Sequence, residues 1–248
     1  MNYDVHCHLS FPEFDRDRDE IVKRALGNEI GIINSSVSPE EIGKAMEISE
    51  KYENVYWTLG LSASEIDENK VENTIKAIRL NKKHLIGIGE VGLDYYWVKD
   101  EKKRAVERIN FEKFIMLSTS LDLPLVVHSR NAEEDCLKIL QEHGKKALMH
   151  CFSGTMEQAE KAIKLGCLIS IPTNITHSKQ KQELASRTPI SSIVLETDAP
   201  YLSPIPNTRN EPVNIRKSVE AIAELKGIKK EEVEKTTSEN ARRFFNLD

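Results

Sequence analysis

Two histidines separated by a single residue, His6-Cys7-His8, close a short start at Asp4-Val5. Successive side chains of an extended strand face opposite ways, so His6 and His8 share one face and Cys7 takes the other. Two imidazoles on one face of a strand end are half of a metal site. Further along, Glu90 ends the run Gly87-Ile88-Gly89, and His128 follows Leu125-Val126-Val127. His150 follows Leu148-Met149, and Asp198 follows Val194-Leu195-Glu196-Thr197. Four neutral imidazoles and two carboxylates exceed the needs of one tetrahedral zinc. They suit two divalent ions ~3.5–4 Å apart with a carboxylate between them, a pair that activates water for hydrolysis. The mixed nitrogen and oxygen set favours Zn²⁺ or Mn²⁺, and Mg²⁺ stays open although it prefers oxygen and water.

For these groups to meet, the runs that carry them must end on the same side of one sheet. Apolar, β-branched runs at Tyr3–His8, Ile30–Val37, Val55–Leu61, Leu85–Val91, Leu125–His128, Ala147–Cys151, Leu168–Ile171 and Ile193–Thr197 read as strands. Helical spacing lies between them, as in Ile42, Ala45, Met46 and Ser49, in Val71, Ile75 and Ile78, and in Ile215, Val219 and Ile222. Residues 101–121 read as a longer helix with Phe111, Phe114, Ile115 and Leu121 inward. Ser38-Pro39-Glu40-Glu41 marks one helix start and Ser64-Glu65-Ile66-Asp67 a weaker one, while Gly144, Gly166 and Gly227 mark stops.

Eight strands alternating with helices predict parallel βαβ units closed into a TIM-type (β/α)8 barrel, an α/β domain spanning 1–248. An open doubly wound sheet is the rival. In a barrel the C-terminal strand ends converge on one rim, which would gather the six groups in one pocket. His84, His143 and His177 fall outside this rule and read as surface or loop residues. Residues 229–248 read as an extra C-terminal helix, packed through Val233, Ala241, Phe244 and Phe245.

The composition is that of an ordinary globular chain, 39% hydrophobic and 30% charged. Its net charge of −5 argues against a protein that coats polyanions, yet leaves room for a locally positive mouth. No apolar run approaches the ~20 residues of a membrane helix, and Met1-Asn2-Tyr3-Asp4 carries no secretory pattern. Cys7, Cys136, Cys151 and Cys167 lack metal or disulfide spacing and read as reduced thiols of a cytoplasmic protein without a membrane partner.

Taken in order, several blocks form a recognisable set: Asp4-Val5-His6-Cys7-His8-Leu9, Gly89-Glu90-Val91-Gly92-Leu93-Asp94, Val127-His128-Ser129-Arg130 and His150-Cys151-Phe152-Ser153-Gly154. They continue with Glu196-Thr197-Asp198-Ala199-Pro200-Tyr201-Leu202, Arg209-Asn210-Glu211-Pro212 and a tail of Thr237, Asn240 and Phe244. Over nearly the whole chain this resembles the TatD-type family of metal-dependent deoxyribonucleases, in the amidohydrolase superfamily. The resemblance implies hydrolysis of DNA phosphodiesters by metal-bound hydroxide. It implies that His6, His8 and Asp198 hold one metal, that His128 and His150 hold the second, and that Glu90 bridges them. Asp198, touching metal, is then the candidate general base. Arg130 and, more weakly, Arg209 are candidates to grip a phosphate. Glu196, Asp4 and Asp94 are candidates to orient the ligand imidazoles.

Tyr95, Tyr96 and Trp97 could stack on a base, although packing of their loop onto the barrel is the preferred reading. One departure stands out. Where the family commonly shows Gly-x-His-Pro-His, this chain has Gly60-Leu61-Ser62-Ala63-Ser64. Activity on DNA is therefore set beside two alternatives: an ester or amide hydrolase, such as one removing D-amino acids from tRNA, and a non-catalytic metal-binding relative.

Overall fold

Strand alternation sorts the apolar side chains into two clusters, and the sorting explains which residues reach the site. The computed structural model describes residues 1–247. Eight parallel strands run in sequence order: β1 (Asn2–Cys7), β2 (Ile30–Ser36), β3 (Val55–Leu59), β4 (Gly87–Asp94), β5 (Leu125–Arg130), β6 (Leu148–Met149), β7 (Leu168–Pro172) and β8 (Ile193–Glu196). The helices between and after them are α1 (Arg18–Leu26), α2 (Ile42–Lys51), α3 (Glu68–Asn81), α4 (Glu101–Leu121), α5 (Glu133–Glu142), α6 (Met156–Lys164), α7 (Lys179–Arg187), α8 (Ile215–Lys226) and α9 (Lys230–Phe245). The sheet closes on itself. Asp198 N donates to His6 O at 2.9 Å and His8 N to Ala199 O at 2.7 Å, joining the ends of β8 and β1. The predicted (β/α)8 barrel with its extra helix is therefore the fold, and the open sheet is not.

Tyr3, Val5, Ile33, Val126, Leu148, Leu168 and Val194 pack against one another, which side chains from six strands can do only inside the barrel. Ala241 and Phe245 of α9 join this cluster and plug the end opposite the strand C-termini. The larger cluster, including Ile30, Ile32, Val127, Met149, Ile193 and Leu195, lies between strands and helices. Asn240 fixes α9 from beneath, its Nδ2 donating to Ile190 O (2.9 Å) and Ile193 O (2.8 Å). Two such bonds between buried groups contribute roughly 1 kcal/mol each.

Period two then delivers the site residues. His128 lies two residues beyond interior Val126, His150 two beyond Leu148, and Glu196 two beyond Val194. β1 and β4 reach the same end by another route. The β1–β2 ladder shifts register between Asp4 and Cys7, and Cys7 joins the outer cluster although Tyr3 and Val5 lie inside. The β4–β5 ladder shifts between Ile88 and Val91, the step that holds Glu90. Irregularities of this kind re-aim single side chains at rims and active sites.

Element edges differ modestly from expectation. β4 starts at Gly87 rather than Leu85 and runs on to Asp94, and β6 is only Leu148–Met149. The predicted helix over 101–121 matches α4. α3 begins at Glu68, capped by Asp67, whose side chain accepts from Asn69 N and Lys70 N. Ser64 does not start it, because Glu65 folds back to accept from Ile66 N and Asp67 N in the preceding turn. No helix of the described residues is long and apolar enough to cross a membrane.

Candidate metal centre

The six predicted groups converge at the C-terminal rim. Glu90 stands at the centre, and its two oxygens face different partners. Oε2 lies 3.3 Å from His6 Nε2 and 3.8 Å from His8 Nε2. Oε1 lies 2.7 Å from His128 Nδ1 and 3.9 Å from His150 Nε2. Asp198 Oδ1 closes the cluster at 3.3 Å from His8, 3.8 Å from His6 and 3.9 Å from His150. Two triads have donor atoms mutually within 4.8 Å, namely His6, His8 and Asp198, and His6, Glu90 and His150.

The outer nitrogens of three rings are pinned. His8 Nδ1 is 3.0 Å from Ser35 O, His150 Nδ1 is 2.8 Å from Glu196 Oε2, and His128 Nε2 is 3.0 Å from Asp94 Oδ2. Each partner is an acceptor, so each of those nitrogens carries the proton. A neutral ring then turns a lone pair inward, toward carboxylate oxygens that offer only lone pairs. Acceptors facing acceptors at these distances require cations or additional protons between them. His6 lacks such an anchor. Its Nδ1 is buried without a hydrogen-bond partner and its ring stacks on His150 at 3.7 Å. The donor set therefore fits divalent cations.

The same geometry perturbs the titrations. Burial opposes charge on His128, but Asp94 and Glu90 prevail and push its pKa up to about 10. Burial likewise opposes charge on His150, but Glu196, Glu90 and Asp198 push it up to about 9. Burial alone would raise Glu90, yet His150, His128 and His6 hold it well below the usual carboxylate range. His6 is lowered, by burial and by the neighbouring His150.

A cavity of about 710 Å³ opens over the cluster, large enough for a nucleotide-sized group. Residues 3–246 match the family of TatD related DNases. The chain belongs to that family. It is 37% identical over 257 residues to deoxyribonuclease TATDN3 of Homo sapiens, covering 98% of this chain and 93% of that protein. It is 36% identical over 244 residues to an uncharacterized metal-dependent hydrolase of Methanocaldococcus jannaschii, covering 98% and 96% respectively. The crystal structure of YJJV, a TatD homolog from Escherichia coli K12, matches with a TM-score of 0.90 at 25% identity, over 100% of this chain and 98% of that one. This TatD-family chain is thus an enzyme of a metal-dependent hydrolase family.

Around the TatD-type cluster, the two arginines part company. Arg130 lines the cavity, with its guanidinium 3.8 Å above the Tyr96 ring. Arg209, expected to share the phosphate-gripping role, does not line the cavity. Its Nη1 donates to Glu13 O (2.6 Å) and Asp17 Oδ1 (3.0 Å), so its fork is occupied in tying the loop after β8 to the segment before α1. Asp4 also differs from expectation. It orients no imidazole; it accepts from Thr197 N (2.8 Å) and Thr197 Oγ1 (2.5 Å) and joins β1 to the end of β8. Cys7, Cys136 and Cys167 are buried, Cys151 is half-buried at the cavity, and all four are free thiols.

The aromatic loop splits. Tyr95 is packed, its hydroxyl donating to Asp135 at 2.6 Å and its ring under Arg104. Tyr96 and Trp97 are exposed, against the preferred reading. Ser62, Ala63 and Ser64, in place of the family's His-Pro-His, line one wall of the cavity.

Two buried residues were not singled out from the sequence. Asn210 donates to Thr197 O (2.8 Å) and Thr173 Oγ1 (2.8 Å), bracing the residue next to Asp198. Its signal lay inside the Arg209-Asn210-Glu211-Pro212 block, beside a more conspicuous arginine. Lys181 is buried at the cavity wall and donates to Cys151 O (2.9 Å), Phe152 O (2.6 Å) and Ser153 Oγ (2.9 Å), holding the turn after His150. The segment Lys179-Gln180-Lys181-Gln182 reads as a solvated face, so nothing in the pattern marked it.

Proposed function

We propose that this chain is a deoxyribonuclease that holds two divalent cations and hydrolyses phosphodiester bonds of DNA. The observation that carries the reading is the division of Glu90, with one oxygen toward His6 and His8 and the other toward His128 and His150. A carboxylate so divided would be shared by two ions, and the similarity to a human deoxyribonuclease points to the substrate. When bound, the cations, Zn²⁺ or Mn²⁺ ahead of Mg²⁺ on this donor set, supply Lewis acidity and lower the pKa of a water at the site.

The protein's own groups do the rest. Asp198 is the general base and takes the proton of the attacking water on its carboxylate. Without cations, ring protons on His8, His150 and His6 hold that carboxylate below its ordinary pKa against the opposing pull of burial, and bound cations would favour the ionised form in the same way. Glu196 and Asp94 fix the tilt of His150 and His128. Arg130 presents its fork to the phosphate.

The deciding experiment compares the wild type and Glu90→Ala on labelled single- and double-stranded DNA, beside a D-aminoacyl-tRNA ester, with divalent ions titrated in. The wild type cleaves DNA. The variant keeps its circular dichroism but loses both cation retention and cleavage. Wild-type cleavage rates without Glu90 would refute the two-cation account, and turnover of the ester alone would refute the deoxyribonuclease.

A further inference from the structure

The loop between β4 and α4 is rigid at its base and displays an unburied tryptophan at its tip. Asp94 Oδ1 accepts from Tyr96 N (2.9 Å) and Trp97 N (3.0 Å), while Oδ2 accepts from His128 Nε2. The Asp94 amide is held in turn by Glu107 Oε1 at 3.2 Å. Tyr95 anchors the loop through Asp135, and Arg104 Nε donates to Val98 O at 2.9 Å. Yet Trp97 is 67% exposed and touches Tyr96 only edge to face, with ring centres 4.9 Å apart. A single exposed aromatic needs no explanation in itself. This one lines the same cavity as Glu90, His128 and Asp198.

Arg130 is its counterpart. The guanidinium lies 3.8 Å over Tyr96 and 6.0 Å from the Trp97 ring. Among the described residues no carboxylate or carbonyl receives any of its N–H groups. A cation placed by stacking, with its donors free, beside an open indole face, is suited to an anion that carries an aromatic ring. A nucleotide unit is such a group.

Resting on the deoxyribonuclease reading, we infer that Trp97 is the stacking platform for the base adjoining the scissile phosphodiester, and that Arg130, held on Tyr96, engages the neighbouring phosphate. The platform accepts any base, because every base has a π face, and it requires that base to be unpaired. Trp97 thus acts in binding, and its removal raises KM more than it lowers kcat.

The chain has two tryptophans, Trp57 buried and Trp97 exposed, so a Trp57→Phe background makes emission report on Trp97 alone. A phosphorothioate oligothymidylate is titrated into that protein with divalent ions present. Quenching is expected, and Trp97→Ala abolishes it. On cleavable oligothymidylate, Trp97→Ala raises KM roughly tenfold, as loss of one base stack would, and Trp97→Phe restores most of the loss. With an oligonucleotide abasic on both sides of the cleaved bond, wild type and Trp97→Ala have equal KM. DNA cleavage with no change in Trp97 emission, or with KM indifferent to Trp97→Ala, overturns the subsite and leaves the deoxyribonuclease standing. Quenching without cleavage keeps Trp97 as a base-stacking residue but overturns the deoxyribonuclease, and with it the place of that base beside a scissile bond. Absence of both overturns both.

Discussion

The amide of Asp198 donates to the carbonyl of His6 at 2.9 Å, and the Asp198 carboxylate lies 3.8 Å from the His6 imidazole. One pair of residues therefore stitches the barrel seam with its backbone and faces the candidate metal centre with its side chains. Cation binding should tighten the fold at that seam. At a hundredfold excess over Kd, a ligand bound only by the native state adds about 2.7 kcal/mol. For a chain of this size that raises Tm by roughly 5–10 °C. Thermal melts with Zn²⁺ or Mn²⁺ and with EDTA measure it, and His6→Ala removes most of the difference. Identical melts would contradict cation binding here.

The contact of His150 with Glu196 suggests a second measurement. Glu196 is wholly buried and accepts both His150 Nδ1 (2.8 Å) and Cys151 N (2.8 Å). Glu196→Gln keeps the shape but lacks the charge that fixes the ring tautomer. Cation affinity should drop about 10- to 100-fold by isothermal titration calorimetry, the usual cost of losing a partner behind a ligand histidine. Asp94→Asn should lose affinity similarly and, in addition, loosen the Trp97 loop.

Acidity separates the metal-free and loaded forms. His128 and His150, pushed up to about 10 and about 9 from 6.5, keep protons in the folded state that the unfolded chain has released. The stability this gives the metal-free protein is complete below pH 6.5. It fades as pH rises toward about 9 and about 10. Cations compete with these protons, so their affinity moves the opposite way and grows across that window. Urea denaturation on either side of it, with and without EDTA, tests both signs. Metal-free stability that increased with pH through the window would be contrary to the arrangement of charges.

Gly92 is a position where backbone space is the limit. Its φ is +148°, and a Cβ there would stand 2.0 Å from His128 O. That atom belongs to the neighbouring strand and cannot swing away. Gly92→Ala should cost about 2–4 kcal/mol in urea denaturation and displace His128, lowering turnover in the fraction that still folds. A variant with wild-type stability and rate would show that the strands can separate cheaply here.

Much of this was legible because it is local. A histidine two residues past an interior valine or leucine must face inward, and Val126-Val127-His128 and Leu148-Met149-His150 follow that rule. The facing of His6 and Glu90 relative to the rest of their strands was not, because register shifts intervene and depend on neighbouring strands. Arg209 looked like Arg130 in type and rim position, but Asp17, 192 residues away in sequence, occupies its donors. Lys181 is the reverse case, in which a solvent-type segment turned one side chain inward because three oxygens in the turn after His150 needed a donor. By sequence Trp97 reads as packing, since aromatics more often bury than protrude. The Asp94 turn that lifts it out needs tertiary support from Glu107 and His128.

Phe245 and Ala241 seal the floor of the barrel beneath Val126, Leu148 and Val194. The molecule is a cup rather than a pipe. A polymer cannot thread through the barrel and reaches the cavity only from its open rim.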